Sequence, residues 1–437
     1  MRRILLPLLA ALAAALPAPS RAQSAGLVGE WEGMMRTPRP VLVRLTLARS
    51  GDGWTATISE PSRHIEAHPV DTVQVRGDTV RLRFAGDLRG LRLRGILAPD
   101  GRVVAGMATA GSNAMPFRLA RPGTPEAAAL AAEVAAPFDV SHQDPDSARI
   151  ITEDIPRFWA ALDAATPENR TALLQSMYLD RGTPGLQDFT VLRIGDSRSL
   201  VASLDRFPSY YRAARASTLR AAEFTPQIRA AFRRMEEIYP EAVFPDVYFL
   251  VGNLSSGGTT SGRGLLIGTE VMSLTDSTPD AEMSPWMKAA FKSIDAIPHI
   301  VAHELVHYEQ DYAPGNTLLR QSLNEGVADF VGELISGGHI NVAARAYGDA
   351  HEAALWCEFR GQMGGTDFSE WLYNGNTTRD RPADLGYDMG YRIARAYYRR
   401  TRDKRQAVRD LLRIRDFEGF VKASGYGERF ACPRTGS

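Results

Sequence analysis

Residues 303–307 read His-Glu-Leu-Val-His inside the apolar run from Ile297 to Tyr308, and no other stretch narrows the possible structures of this chain so far. The two histidines are four positions apart. On a helix that spacing sets both imidazoles on one face, one turn apart, where they reach a single metal ion with Glu304 beside them. Ile300, Val301, Leu305 and Val306 have the periodicity of a buried helix. Pro298 stands near its start, where a missing amide proton costs nothing.

An HExxH string also arises by chance, so its surroundings decide. Sixteen residues after His307 begins Leu323-Asn324-Glu325-Gly326-Val327-Ala328-Asp329-Phe330, a second run of helical period that puts Glu325, eighteen residues after His307, one turn from Asp329. A catalytic zinc site takes three protein ligands and leaves one position open, and two histidines with one glutamate is an established set. His303, His307 and Glu325 are therefore the expected ligands, with one zinc ion per chain. Asp329 is expected behind them, accepting the distal N–H of a ligand histidine and fixing its tautomer.

HExxH followed by a helix with the pattern NExxxD resembles the gluzincin metallopeptidases, among them thermolysin and the M1 aminopeptidases. The runs Phe244 to Glu270, His299 to Gln310, Ser322 to Gly337 and Gly386 to Tyr398 narrow the likeness. Together they are similar to the bacterial family of predicted zinc-dependent proteases catalogued as domain of unknown function 2268. That likeness covers roughly residues 150 to 430, enough for one catalytic domain. It implies a zincin-like fold and hydrolysis of peptide bonds, without a substrate. In gluzincins a strand beside the metal holds the substrate backbone, and Leu265, Leu266, Ile267, Gly268 and Thr269 are expected to be that strand; an ordinary exposed hairpin is an equal reading. No GxMEN-type motif for a free amino terminus is present, which argues against aminopeptidase action.

Charge developing on a carbonyl oxygen needs a second donor, and Tyr391 in Leu385-Gly386-Tyr387-Asp388-Met389-Gly390-Tyr391-Arg392 is the expected catalytic partner of Glu304. Tyr387 competes for the role, and a core position is the ordinary fate of a helical aromatic. Gly386 and Gly390 at helical spacing allow another backbone to come close. His299 reads as a capping or packing residue beside Pro298. The Gly-rich stretch from Gly252 to Gly264 lacks the Lys-Ser/Thr of a phosphate loop and reads as a hairpin.

The first 22 residues differ in kind. Arg2 and Arg3 precede an apolar run from Ile4 to Leu16, and Ser20-Arg21-Ala22 offers small residues for a signal peptidase, so export to the periplasm or beyond is expected. The apolar run is too short for a membrane span, and no later run is long enough. Cys357 and Cys432 are the two cysteines; in an oxidising compartment they could form one disulfide or stay free. Lys plus Arg equals Asp plus Glu at 51 each, so no whole-chain field favours nucleic acid. The basic stretch Arg392 to Arg415 reads as the solvated face of a packed helix.

From Gly26 to Leu119 the rhythm is short alternating segments divided by turns. Val73 to Arg76 meets Thr79 to Phe84 across Gly77-Asp78, and Leu91 to Leu97 meets Val103 and Val104 across Pro99-Asp100-Gly101. Arg81, Arg83, Arg92 and Arg94 take the solvent side. Gly29-Glu30-Trp31-Glu32-Gly33 lends the module a likeness to the lipocalin-like modules that precede some secreted hydrolases. The expected order is an export signal (1–22), a small antiparallel β-barrel or sandwich (23–120), a linker (121–148) and a mostly helical α+β metallopeptidase domain with a small sheet (149–437). The expected reaction is amide hydrolysis of a peptide or protein substrate, with Glu304 moving a proton from water to the leaving amine. Two rivals are a zinc hydrolase of another bond and an exported binding protein with a structural zinc.

Overall fold

Glycine and Asx turns cut the first part of the chain into strands too short to bury a face unless they pair. The computed structural model describes residues 26–36, 40–61, 65–84, 88, 90–98, 100–110, 113–135, 141–313, 315–378 and 380–432. The expected export segment therefore lies outside the described residues. Strands β1 (Gly29–Arg36), β2 (Pro40–Ser50), β3 (Gly53–Glu60), β4 (Ile65–Pro69), β5 (Thr72–Arg76), β6 (Thr79–Arg83), β7 (Leu91–Leu97), β8 (Val103–Ala110) and β9 (Asn113–Ala120) form one sheet. Its order is β4-β3-β2-β1-β9-β8-β7-β6-β5, antiparallel throughout.

That order forces curvature. The outermost strands β4 and β5 are consecutive in sequence and joined only by Val70 and Asp71. So short a link spans about 10 Å, whereas the edges of a flat sheet of this width would stand nearly 40 Å apart. The sheet curls until its ends approach, with Val70 N–H donating to Ala56 O and Asp71 N–H to Arg83 O, both at 3.0 Å. β4 and β5 do not pair with each other among the described residues, so this is an open curled sheet, not a sandwich. Trp31, Val43, Leu45, Leu47, Val80, Leu82, Val104 and Phe117 fill its inner face. Helix α1 (Pro125–Ala135) lays Ala127 and Leu130 on Met34 and Ala120 of the outer face. Much of the stretch read as a linker thus belongs to this first unit, which ends at Ala136.

The second unit runs from Pro137 to Ser437. β10 (Ser141–His142) pairs with β12 (Phe244–Pro245), while β11 (Ile150–Ile151), β13 (Val247–Leu250), β14 (Gly258–Ser261) and β15 (Gly264–Gly268) form a sheet in the order β11-β13-β15-β14. Only the β14–β15 pair is antiparallel, the hairpin expected from the Gly-rich stretch. Helices make up the rest. Those that build the site are α2 (Ile297–Glu309), α3 (Leu318–Ser336), α4 (Val342–Gln362) and α5 (Leu385–Arg400).

α3 begins where Thr317 Oγ1 accepts the N–H of Arg320 at 3.2 Å and ends at Gly337, whose φ of 77° stops the helix. α3 and α5 pack almost backbone to backbone. A Cβ on Gly390 would lie 1.8 Å from Ser322 O, and one on Gly326 would lie 2.1 Å from Tyr391 N, so glycine is required at both. A disulfide joins Cys357 on α4 to Cys432, Cα to Cα 5.3 Å. Among the described residues no helix is long and apolar enough to cross a membrane.

Candidate metal centre

Three side chains from two adjacent helices converge. His303 and His307 of α2 place their Nε2 atoms 3.0 Å apart. Glu325 Oε2 of α3 lies 3.2 Å from His307 Nε2 and 3.5 Å from His303 Nε2. Among the described residues, no other group of His, Cys, Asp and Glu gathers in this way. Donors held about 2.0–2.2 Å from a tetrahedral ion stand roughly 3.3–3.6 Å apart, so the triangle accepts zinc with small adjustments. The donor set, two imidazoles and one carboxylate, suits that ion as well.

Each ligand has a partner behind it. Asp329 Oδ1 lies 2.9 Å from His303 Nδ1, and its other oxygen accepts Asn341 Nδ2 at 2.7 Å. Gln310 Oε1 lies 2.7 Å from His307 Nδ1, and Gln310 Nε2 donates to Asn324 O at 2.8 Å. Both histidines thereby turn Nε2 toward the common point. Tyr373 O–H donates to Glu325 Oε1 at 3.0 Å and leaves Oε2 facing the imidazoles. Gln310 and Tyr373 are absent from the sequence reading. Gln310 carries a signal, standing one helical turn after His307, whereas Tyr373 lies on a loop, where no periodicity points to it.

The field in the site is anionic. Burial works against protonation of His303, but hydrogen bonds to Asp329 and Glu325 outweigh it and lift the imidazole to about 10. Burial pushes Glu325 up, yet the charges and hydrogen bonds of His307 and His303 prevail and hold it well below the usual carboxylate range. A site that draws protons onto two imidazoles has the electrostatics to draw a divalent cation. Glu304 is raised, chiefly by burial and against the pull of both histidines.

The expected second donor is elsewhere. Tyr391 lies with Arg345 over its ring at 3.3 Å and Phe330 and His339 at its edges, away from the triangle. Tyr387, one turn earlier, stacks on His303 with ring centroids 6.4 Å apart and meets Tyr373 at 6.5 Å. Burial, with Glu325 adding to it, keeps the hydroxyls of Tyr387 and Tyr373 protonated far above their ordinary range. The spacing of four put both tyrosines on one face of α5; the crossing of α5 over α3 brings Tyr387 against His303.

Leu265, Leu266, Ile267 and Gly268 belong to β15, with Thr269 just beyond, and all five are buried. β13 pairs with this strand on one side and β14 on the other, so its main chain is already committed. The open edge is β14. Gly268 N–H donates to Gly257 O at 3.1 Å, which makes Gly258–Ile267 and Thr260–Leu265 pairs of the non-hydrogen-bonded kind. The main-chain groups of Gly258 and Thr260 therefore point outward. β14 lies against the metal helix, because a Cβ on Gly258 would stand 2.4 Å from Glu304 Oε1. The apolar composition of β15 marks an interior strand, and the polar Gly-Thr-Thr-Ser of β14 marks an edge.

His299 takes no part; its Nδ1 meets Ser336 Oγ at 2.9 Å. Arg392 departs from the solvated face expected of it. It is buried and paired with Asp388 at 2.6 Å, Asp349 at 2.8 Å and Glu352 at 3.2 Å, tying α5 to α4. Compared with protein families, curated proteins and solved structures, the chain matches none of them.

Proposed function

We propose that this protein is an exported zinc-dependent metallopeptidase of the gluzincin type, its second unit a zincin-like domain and its first a lipocalin-like module. The observation that carries the reading is the donor triangle of His303, His307 and Glu325 with Glu304 between it and the open edge of β14. When bound there, zinc supplies Lewis acidity that polarises a carbonyl and acidifies water. Glu304 is the general base, taking a proton from the attacking water and returning it to the leaving amine. Burial raises its pKa against the pull of His307 and His303. Tyr387 remains protonated and is the donor for a carbonyl oxygen that gains charge, while the Tyr373 hydroxyl stays on Glu325.

The edge of β14 favours a peptide over other substrates. Ser256 Oγ–H already donates to Gly258 O at 2.7 Å, so an extended chain can add there through Gly258 N–H and the main-chain groups of Thr260, as peptides add to exposed sheet edges elsewhere. Gly258 has no side chain to hold that chain away from Glu304. The Cys357–Cys432 disulfide supports an oxidising compartment.

The test is zinc content and peptide-library cleavage by the mature protein beside two variants. Glu304→Gln is expected to keep about one zinc per chain and lose turnover by roughly two to four orders of magnitude, while His303→Ala loses the metal. Full activity in Glu304→Gln would remove the base; a wild type that holds zinc but cleaves no peptide would move the reading to another bond.

A further inference from the structure

Four arginines form a grid on the outer face of the curled sheet. Arg81 on β6 is the register partner of Arg94 on β7, and Arg83 is the partner of Arg92. All four are exposed. Leu97 N–H donates to Asp78 O at 2.8 Å and Phe84 N–H to Leu91 O at 3.3 Å, so both arginine pairs are of the non-hydrogen-bonded kind, in which facing side chains come closest. Like charges directly opposite each other in that register destabilise a sheet.

Among the described residues nothing offsets them. None of the four has an ion-pair or hydrogen-bond partner among the described residues, in contrast with Arg44, paired with Glu32, and Arg102, paired with Glu126, in the same unit. The grid lines an open cavity of about 550 Å³ together with Thr72, Gln74 and Thr109. Register puts these uncharged hydrogen-bonding side chains on the flanking strands β5 and β8, beside the arginines.

We propose that this face binds a compact anion bearing several phosphoryl groups. Adjacent guanidinium stems stand about 5 Å apart across the strands and about 7 Å apart along them, the scale of neighbouring phosphoryl groups on one small molecule or headgroup. Arginine suits such groups, since its planar fork gives two parallel hydrogen bonds to phosphate oxygens. A cavity of this volume is in the range that holds small ligands, whereas a long polyanion or an anionic bilayer calls for a broader basic surface. The site lies in the first unit and is independent of the proposed metal chemistry.

Calorimetric titration of the full mature chain with inorganic tripolyphosphate at low salt tests it. Wild type binds, and both Arg81→Gln/Arg94→Gln and Arg83→Gln/Arg92→Gln bind roughly tenfold or more weakly. Both variants should unfold at the same or a higher temperature than wild type in the absence of ligand, because a like-charge pair is gone. Arg44→Gln, outside the grid, leaves binding unchanged. Equal binding by wild type and both double variants, or no binding to wild type at millimolar ligand, overturns the proposal. Binding only to heparin, or only to phosphatidylglycerol vesicles, overturns it in favour of a polymer or membrane surface.

Discussion

Glu270 shows how one residue can make stability depend on pH. It is fully buried, Oε1 accepts Leu254 N–H at 3.2 Å, and Oε2 has no hydrogen-bond partner among the described residues. Burial, only partly countered by backbone N–H groups of Gly252 and Leu254, lifts its carboxyl from 4.5 to about 7. The folded state therefore holds a proton that the unfolded state has released between those values, and stability falls as pH rises through that window. The loss is of the order of 3 kcal/mol once the pH is above the folded value. Thermal unfolding of Glu270→Gln between about pH 5 and pH 8 should lack this component and exceed wild type at the alkaline end; parallel pH profiles would refute it. At the same scale, the donor triangle is legible because residue types and helical spacings are local. His303, Glu304, His307, Glu325 and Asp329 follow from two helical repeats. Tyr373 does not, because its hydroxyl reaches Glu325 across 48 residues from a loop where φ is 57°.

Among the elements, the α3–α5 contact carries the most. Gly326 stands next to Glu325, and Gly390 is one residue before Tyr391, so the close approach also sets where Glu325 points. Gly390→Ala puts a methyl into the main chain of α3 at Ser322. About 3 kcal/mol or more of stability should be lost, with weaker zinc retention, in a urea melt and a metal assay. A variant with unchanged midpoint and zinc content would show that the helices part freely. The helices and the alternation of β5 to β8 are readable from period and turn residues, including the two-residue turn at Gly77-Asp78 that pairs Arg76 with Thr79. Edge or interior position is not. β14 and β15 sit on the same hairpin, and only strand order decides which offers its main chain.

For the whole molecule, the disulfide closes a separation of 75 residues and ties the end of the chain to α4. Constraint of the unfolded chain by a loop of that length corresponds to about 4 kcal/mol. Cys432→Ser should lower the unfolding midpoint in denaturant while zinc content stays near wild type, since neither cysteine touches the triangle. An unchanged midpoint would mean that strain or residual structure cancels the gain. Division into two units was foreseeable from the change of rhythm near residue 120, and so was some helix in the alanine-rich linker, but not that this helix α1 completes the first unit.

Sequence alone pointed to the His303, His307 and Glu325 triad, to Asp329 behind His303, to the paired turns and to the solvent side of the arginines. All of these depend on side-chain type at spacings of two, three or four, which helix and strand geometry converts directly into shared faces. Tertiary structure decided which tyrosine stacks on His303, which strand keeps an open edge, that Arg392 is buried, and that four arginines share one surface. Those outcomes depend on helix crossing, strand order and cross-strand register, which bring together residues far apart in the chain and leave no period in the sequence to read.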